Sequence, residues 1–492
     1  MSSPAQTSDL KRPESPAGLA FWMERVLAEC EHAAADFAAD PVHDLRVALR
    51  RCRSMADGLM AMDPDAGWKQ MKKAGKKLFS SLGELRDVQV MEEWVHKLDG
   101  AEDPAAQALL SYLGSREGEL KTAAAEALRQ FDRKQWARWA RSLPRRAAKF
   151  RPGSAIFKHL ALEKWMAARE LHRRAMRHRS QVSLHNLRIG LKRFRYIVEN
   201  FLPQQHLEWK DDLKDLQDQL GEVHDLDVLW ATAVRIHAFP DAEARMRWHQ
   251  RVLEERTKRV AHYHQRMVGK ETLWGVWRAE LPQGPEIQAA ALNRLRIWGS
   301  VLDPDFKHAD HISRLALELY DGLPGKETAG KEQQDEREIL RLAALLHDVG
   351  RSKRDKGHHK STFRLVAGMT PPLGWTERDL RITAAVARYH RGALPRAGQS
   401  AMAGWSPGER KKILRLAGIL RLADAFDGMR DGRISGVDVR EQDGMLVVAA
   451  KGYSARERIA EQIAAARHLL ELVYRRPVMV KAMMVPSLRL VR

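Results

Sequence analysis

Apolar residues recur every three to four positions from about Leu19 to Trp277, with charged residues between them and few stretches of strict alternation. That period puts an apolar stripe on one side of each helix and predicts an all-helical region. In "VHDLRVALRRCR", 42–53, Leu45, Leu49 and Cys52 form the stripe. His43, Arg46, Arg50 and Arg53 fall on the opposite side within an arc of roughly 80°. "LHNLRIGLKRFR", 184–195, repeats both faces: Leu187, Leu191 and Phe194 inside, His185, Arg188, Lys192 and Arg195 outside. A second element also recurs, "LFSSLGELRDVQV" at 78–90 and "LQDQLGEVHDLDV" at 216–228, with Leu82/Leu220, Gly83/Gly221, Glu84/Glu222 and Asp87/Asp225 coincident. Lys72 and Lys76 match Lys210 and Lys214 in the same register. Two copies are too few for a solenoid, so a duplicated bundle is expected, with the two cationic faces meeting across a groove.

The segment "AELPQGPEIQ", 279–288, interrupts the pattern with two prolines and a glycine and marks a domain boundary. Helical periodicity then resumes. "GVDVREQDGMLVVAAKGY" reads as two strands around an Asp-Gly turn, and "ARERIAEQIAAARHLLELVYRR" as a helix. The expected fold is mainly α. A disordered start covers 1–18, a duplicated helical domain 19–280 (pseudo-repeats about 19–140 and 150–280) and a linker 281–286. A second helical domain follows over 287–432, with a small α/β appendage over 433–492.

Charge narrows the partners. Lys and Arg number 84 against 64 Asp and Glu in 492 residues, a formal net charge of +20, so an acidic partner is expected. Two cysteines without a partner motif fit a reduced compartment. No apolar run is long enough to span a bilayer, and the polar, Pro- and Ser-rich start is unlike a signal peptide, so a soluble cytoplasmic protein is expected, with no membrane partner.

Basic helix faces are usually solvated, but here the pattern occurs twice and no Asp or Glu lies within either arc. A base-reading helix would carry Asn or Gln beside its arginines, and a single-strand binder would interleave aromatics. Both are largely missing. The pattern suits phosphate without a base, which makes nucleic acid the less favoured partner and linear polyphosphate the favoured one. At these residues the sequence resembles the conserved histidine α-helical domain, CHAD, over about 19–280. The resemblance implies paired four-helix bundles with a basic pocket for inorganic polyphosphate, and an association with polyphosphate granules. It implies as ligand residues His43, Arg46, Arg50, Arg53, Lys72, Lys76, His185, Arg188, Lys192, Arg195, Lys210 and Lys214. Asn186 and His224 depart from their repeat partners Asp44 and Arg86.

The second half carries different chemistry. "LRLAALLHDVGRSK" ends a helical pattern on His347 and Asp348, "HADHISRLALELYDGL" supplies His311, and "LRLADAFDGMRDGRI" supplies Asp424. Together they offer the nitrogen and oxygen donors of a divalent metal site, with Mn, Mg, Fe and Zn all open. Such a metal activates water and screens a phosphoryl oxygen. Asp348, His359 and His390 are the catalytic candidates, and Lys360, Arg388 and Arg391 would offset substrate charge. The order His, His-Asp, Asp is similar to the HD superfamily of metal-dependent phosphohydrolases. "HHK", "RYHRGALP" and "LRLADAFD" resemble more closely the C-terminal HD domain of the exopolyphosphatase and guanosine pentaphosphate phosphatase family, over roughly 286–492. In that family the main phosphatase chemistry belongs to a separate preceding domain, which the basic helical domain replaces here. The expected function is therefore polyphosphate binding joined to an HD-type phosphohydrolase-like domain acting on polyphosphate or a phosphorylated nucleotide. A non-catalytic granule scaffold and a basic nucleic-acid-binding protein are the alternatives. Oligomeric state is left open.

Overall fold

The computed structural model describes residues 18–98, 102–178, 180–324, 330–455 and 459–483. Apart from Gly18, the expected disordered start lies outside the described residues. The chain divides into two compact units, 1–283 and 284–492, and the fold is mainly α.

In the first unit the helices Leu19–Ala33 and Ala39–Leu59 pair, as do Lys76–Leu98 and Pro104–Arg129. The second copy repeats this with Ala155–His178 on Gln181–Phe201 and Pro203–Arg235 on Ala242–Met267. Side-chain caps set several starts: Asp103 accepts from the amides of Ala105 and Ala106, Ser180 from Ser183 and Asp241 from Ala244. Each satisfies helix donors that lack an intrahelical acceptor. The copies differ at one joint. Ala66–Ala74 and Lys76–Leu98 are separate helices around Gly75, whereas Pro203–Arg235 runs without a break. The copies meet through equivalent helices, Ala39–Leu59 against Gln181–Phe201 and Lys76–Leu98 against Pro203–Arg235. Cys30 and Cys52 are buried free thiols.

The second unit packs the helices Pro285–Leu302, Phe306–Gly322, Lys331–Leu346, His358–Ala367, Glu377–Arg388 and Pro407–Phe426 around one core. Capping boxes open two of them, at Thr376/Asp379 and Ser406/Glu409. Strands β1 (Gly436–Gln442) and β2 (Met445–Lys451) form the expected hairpin, with Asp443 and Gly444 both at positive φ in its two-residue turn. A third strand, β3 (Val478–Ala482), pairs parallel to β2 after the helix Ile459–Tyr474. The sheet and this helix share the core of the unit: Val437, Val439, Leu446, Ile463 and Val478 join Leu315, Leu319 and Leu416. No helix among the described residues is long and apolar enough to cross a membrane.

Candidate functional site

In the first unit the two cationic helices meet at their centres. Arg46 and Arg50 from one copy lie in the field of Arg188 and Lys192 from the other. The glycines of the second repeated element make room for them, since a Cβ on Gly83 would come 2.9 Å from Arg46 Nη1 and one on Gly221 3.9 Å from Arg188 Nε. Arg46 Nη1 donates to Leu82 O at 2.8 Å, and the Arg188 Nε is buried without a hydrogen-bond acceptor. Loss of water, together with Arg188 and Arg50, pushes the Lys192 ammonium down to about 7.

The cationic faces do not lack acid, contrary to the reading from their own helices. Asp87 and Asp225, on the neighbouring helices, face Arg46, Arg188 and Lys192. Burial pushes Asp225 up to about 6 against the pull of Arg188 and Lys192. Sequence periodicity within one helix does not report a carboxylate arriving from another, although the coincidence of Asp87 with Asp225 was the available signal. On the second copy's cationic face His185 and His224 approach with their Nδ1 atoms 3.3 Å apart. At the equivalent place in the other copy, His43 lies in the field of Arg50 and Arg86, which with loss of water pushes it down.

The remaining basic residues sit further out. Arg53 Nη1 donates to Lys72 O at 2.8 Å, and Lys72 pairs with Asp57. Arg195 lies 3.7 Å from Glu199, Lys214 is 3.1 Å from Asp218, and Lys76 and Lys210 are exposed.

In the second unit two groups of potential metal ligands share Asp348: His308 with His347, and His358 with His390. Three of these histidines are oriented in the same way. His347 Nδ1 donates to Ala344 O at 2.7 Å, His358 Nδ1 to Asp355 O at 2.8 Å and His390 Nδ1 to Ala387 O at 2.7 Å. Each bond orients its ring so that Nε2 turns inward, the arrangement found around bound metals. His347 Nε2 is buried and has no hydrogen-bond partner. It lies 3.7 Å from both Asp348 Oδ1 and Asp424 Oδ1. His358 Nε2 is 3.0 Å from Asp348 Oδ1, and His390 Nε2 is 3.8 Å from it.

The outer carboxylate oxygens are held by arginines. Asp348 Oδ2 accepts from Arg430 and, at 3.3 Å, from Arg351, while Asp424 Oδ2 accepts from Arg391 Nε at 2.6 Å. Burial opposes both charges, yet the neighbouring histidines and arginines hold both carboxyls far below the usual range. Burial and His347 push His390 down to about 3. Imidazole Nε2 atoms converging on ionised carboxylates fit a divalent metal.

One expected ligand and one catalytic candidate each give way to a near neighbour. His311 is not in this cluster: its Nε2 faces Ile434 O at 3.0 Å and its Nδ1 faces Arg314 at 3.0 Å. His308, three residues earlier on the same helix, takes that place, with Nε2 3.3 Å from Asp424 Oδ1 and Nδ1 2.7 Å from Asp427 Oδ2. Burial disfavours its charge, but Asp424 and Asp427 pull it up to about 9. Likewise His358, not His359, reaches Asp348; His359 stands outside, its ring centroid 6.3 Å from that of His390. Burial, Arg388, His358, Lys360 and Arg354 depress His359 to about 4. The signals were present as the first histidines of "HADH" and "HH", but residues three apart share a helix face and neighbours share a turn, so spacing did not choose between them.

Residues 18–234 match the CHAD domain family, and residues 291–453 match the family Ppx/GppA phosphatase, domain III. Among solved structures, the CHAD domain from the plant Ricinus communis is similar over 56% of this chain and 96% of its own, with 20% identity and a TM-score of 0.36. No curated protein matches. The chain thus pairs a CHAD domain with a region like domain III of Ppx/GppA phosphatases.

Proposed function

We propose that this pairing joins polyphosphate capture to metal-dependent hydrolysis of a phosphoanhydride. The pocket of Arg46, Arg50, Arg188 and Lys192 takes the polyanion, with His43 and His185 on the same cationic faces. The cluster of His308, His347, Asp348 and Asp424, extended by His358 and His390, holds one or two divalent cations. A cation there would lower the pKa of water and polarise a phosphoryl oxygen. The protein's own part is to fix the imidazoles through backbone carbonyls, to keep Asp348 and Asp424 ionised through Arg430, Arg351 and Arg391, and to exclude water from the buried ligand atoms.

The observation that carries this reading is the inward convergence of the histidine Nε2 atoms on Asp348 and Asp424, in a region that matches a phosphatase domain. Its test is phosphate release from tripolyphosphate by the purified chain with manganese, magnesium, iron or zinc. Release that disappears in Asp348→Ala supports it; no release with any of these cations refutes the hydrolytic half. A second reading, a non-catalytic scaffold at polyphosphate granules, is favoured by the match being to domain III alone. It predicts retained metal and retained polyphosphate without turnover. Preference for RNA or DNA over polyphosphate in direct competition would overturn both.

A further inference from the structure

The helix Arg133–Ala147 of the first unit packs on Leu19–Ala33 and Ala66–Ala74, whereas the two copies meet through other helices. Its sequence, "RKQWARWARSLPRRA", holds no acid. Lys134, Arg138, Arg141 and Arg145 fall within an arc of roughly 60° along about 16 Å of helix, and Lys149 follows one turn later. All five are exposed, and the other exposed residues of 133–149 are only Ser142 and Ala148. None of the five forms an ion pair among the described residues, although Glu24 and Glu31 are exposed on the adjoining Leu19–Ala33. Arg146, off this face, is by contrast bound twice to Asp63, at 2.7 and 2.6 Å. The scaffold does not require the row of charge. The spacing Trp-x-x-Trp-x-x-x-Leu-Pro recurs at 136–144 and 274–282, and Trp136/Trp274 and Leu143/Leu281 are buried in both copies. Where the first copy has Lys134, Arg138, Arg141 and Arg145, the second has Thr272, Val276, Ala279 and Gln283.

We propose that this stripe docks the protein on an anionic phospholipid surface. A flat leaflet lets all five cations touch headgroup phosphates together, and four to eight such residues on one amphipathic helix suffice to hold a negatively charged leaflet. The apolar side of the helix is occupied by the bundle, so the contact is electrostatic, without insertion, and reversible by salt. A nucleic acid fits the face less well. No aromatic or amide side chain is exposed beside the cations to stack on or read a base, and the phosphates of a duplex turn through about half a circle over the length of the row. Adsorption needs no spanning helix, whereas the expectation of no membrane partner rested on spanning length.

The test sediments the full chain at low salt with vesicles of equal parts phosphatidylglycerol and phosphatidylcholine, or of phosphatidylcholine alone. The mixed vesicles should carry the protein down and the neutral ones should not. Arg138→Gln, Arg141→Gln and Arg145→Gln together should weaken that binding by about hundredfold, roughly fivefold for each cation at the surface. A second triple, Arg245→Gln, Lys270→Gln and Lys353→Gln, removes the same charge at exposed positions off the helix and should change it by less than about threefold. If circular dichroism shows the first triple unfolded, Arg141→Gln alone, expected to lose about fivefold, decides. No binding to the mixed vesicles, equal binding to the neutral ones, or equal weakening by both triples overturns the proposal. Polyphosphate and duplex DNA are titrated in solution against wild type and the first triple. Unchanged affinity for both supports the lipid surface, and a hundredfold loss of either assigns the stripe to that polyanion instead.

Discussion

Replacing Gly350 by alanine probes the metal cluster without touching a ligand. Gly350 follows Val349 in the turn after His347 and Asp348, and its amide donates to Thr362 Oγ1 at 3.0 Å while that hydroxyl donates to His347 O at 2.9 Å. A Cβ at this position would sit 2.2 Å from His358 O and 2.5 Å from Thr362 N. Both are backbone atoms of one helix, so no side chain can swing away. Ordinary contact begins near 3.4 Å, so the start of the His358–Ala367 helix must retreat by about 1.2 Å. Overpacking of this kind typically costs 1–3 kcal/mol, and a rigid backbone contact puts Gly350→Ala at about 3 kcal/mol. For a unit of this size each kcal/mol lowers Tm by about 2–4 °C, so a fall of about 6–12 °C is expected. The same retreat carries His358 Nε2 away from Asp348 Oδ1. Scanning calorimetry and elemental analysis of the purified variant should therefore report lower Tm and less bound metal. Gly398→Ala, where a Cβ meets nothing within 4 Å, is the control and should change stability by no more than about 0.5 kcal/mol. Wild-type stability and metal content in Gly350→Ala would refute the argument that this glycine sets the spacing of the cluster.

Further outcomes follow from the same geometry. His308→Ala should deplete bound metal whereas His311→Ala should retain it, as elemental analysis would show; the reverse would restore the assignment read from the sequence. Arg50→Glu with Lys192→Glu should weaken polyphosphate binding by at least about tenfold while circular dichroism stays helical, and unchanged affinity with an intact fold would exclude the pocket. Polyphosphate should bind more tightly at pH 6 than at pH 8. Lys192, depressed to about 7, gains charge as pH falls, and Asp225, raised to about 6, loses repulsion to an anion over the same direction. Lys192→Arg keeps its charge and should flatten that pH profile in a constant-ionic-strength titration.

The helical architecture and the duplication were legible because they rest on local signals: a period of 3.6, proline and glycine punctuation, and two copies of one charged pattern. The hairpin was legible from its Asp-Gly turn. β3 was not, since five residues near the end of the chain become a strand only by pairing with β2. The same distinction runs through the sites. Asp348 and Asp424 stand out as acids in apolar surroundings, but their partners Arg430, Arg391 and His308 arrive from other elements. Choosing His308 over His311 takes the rotation of a helix against its neighbours, which Asp424 and Asp427 settle from the far side of the unit. Asp87 and Asp225 were visible as a repeated pair, yet their role as counterions appears only when the helices of both copies cross.

The bonds from His308 to Asp424 and Asp427 also have a timetable. His308 and Asp427 are 119 positions apart. At synthesis rates of about 5–20 residues per second, roughly 6–24 s separate the making of the first from the making of the second. The later residues of β1 to β3 must follow before the shared core can close around them. Throughout that interval His308 waits without Asp424 and Asp427, so the cluster it shares with them assembles only after both segments have been made. On the metal-binding reading, ribosome-bound chains stalled before Asp424 should therefore bind metal weakly.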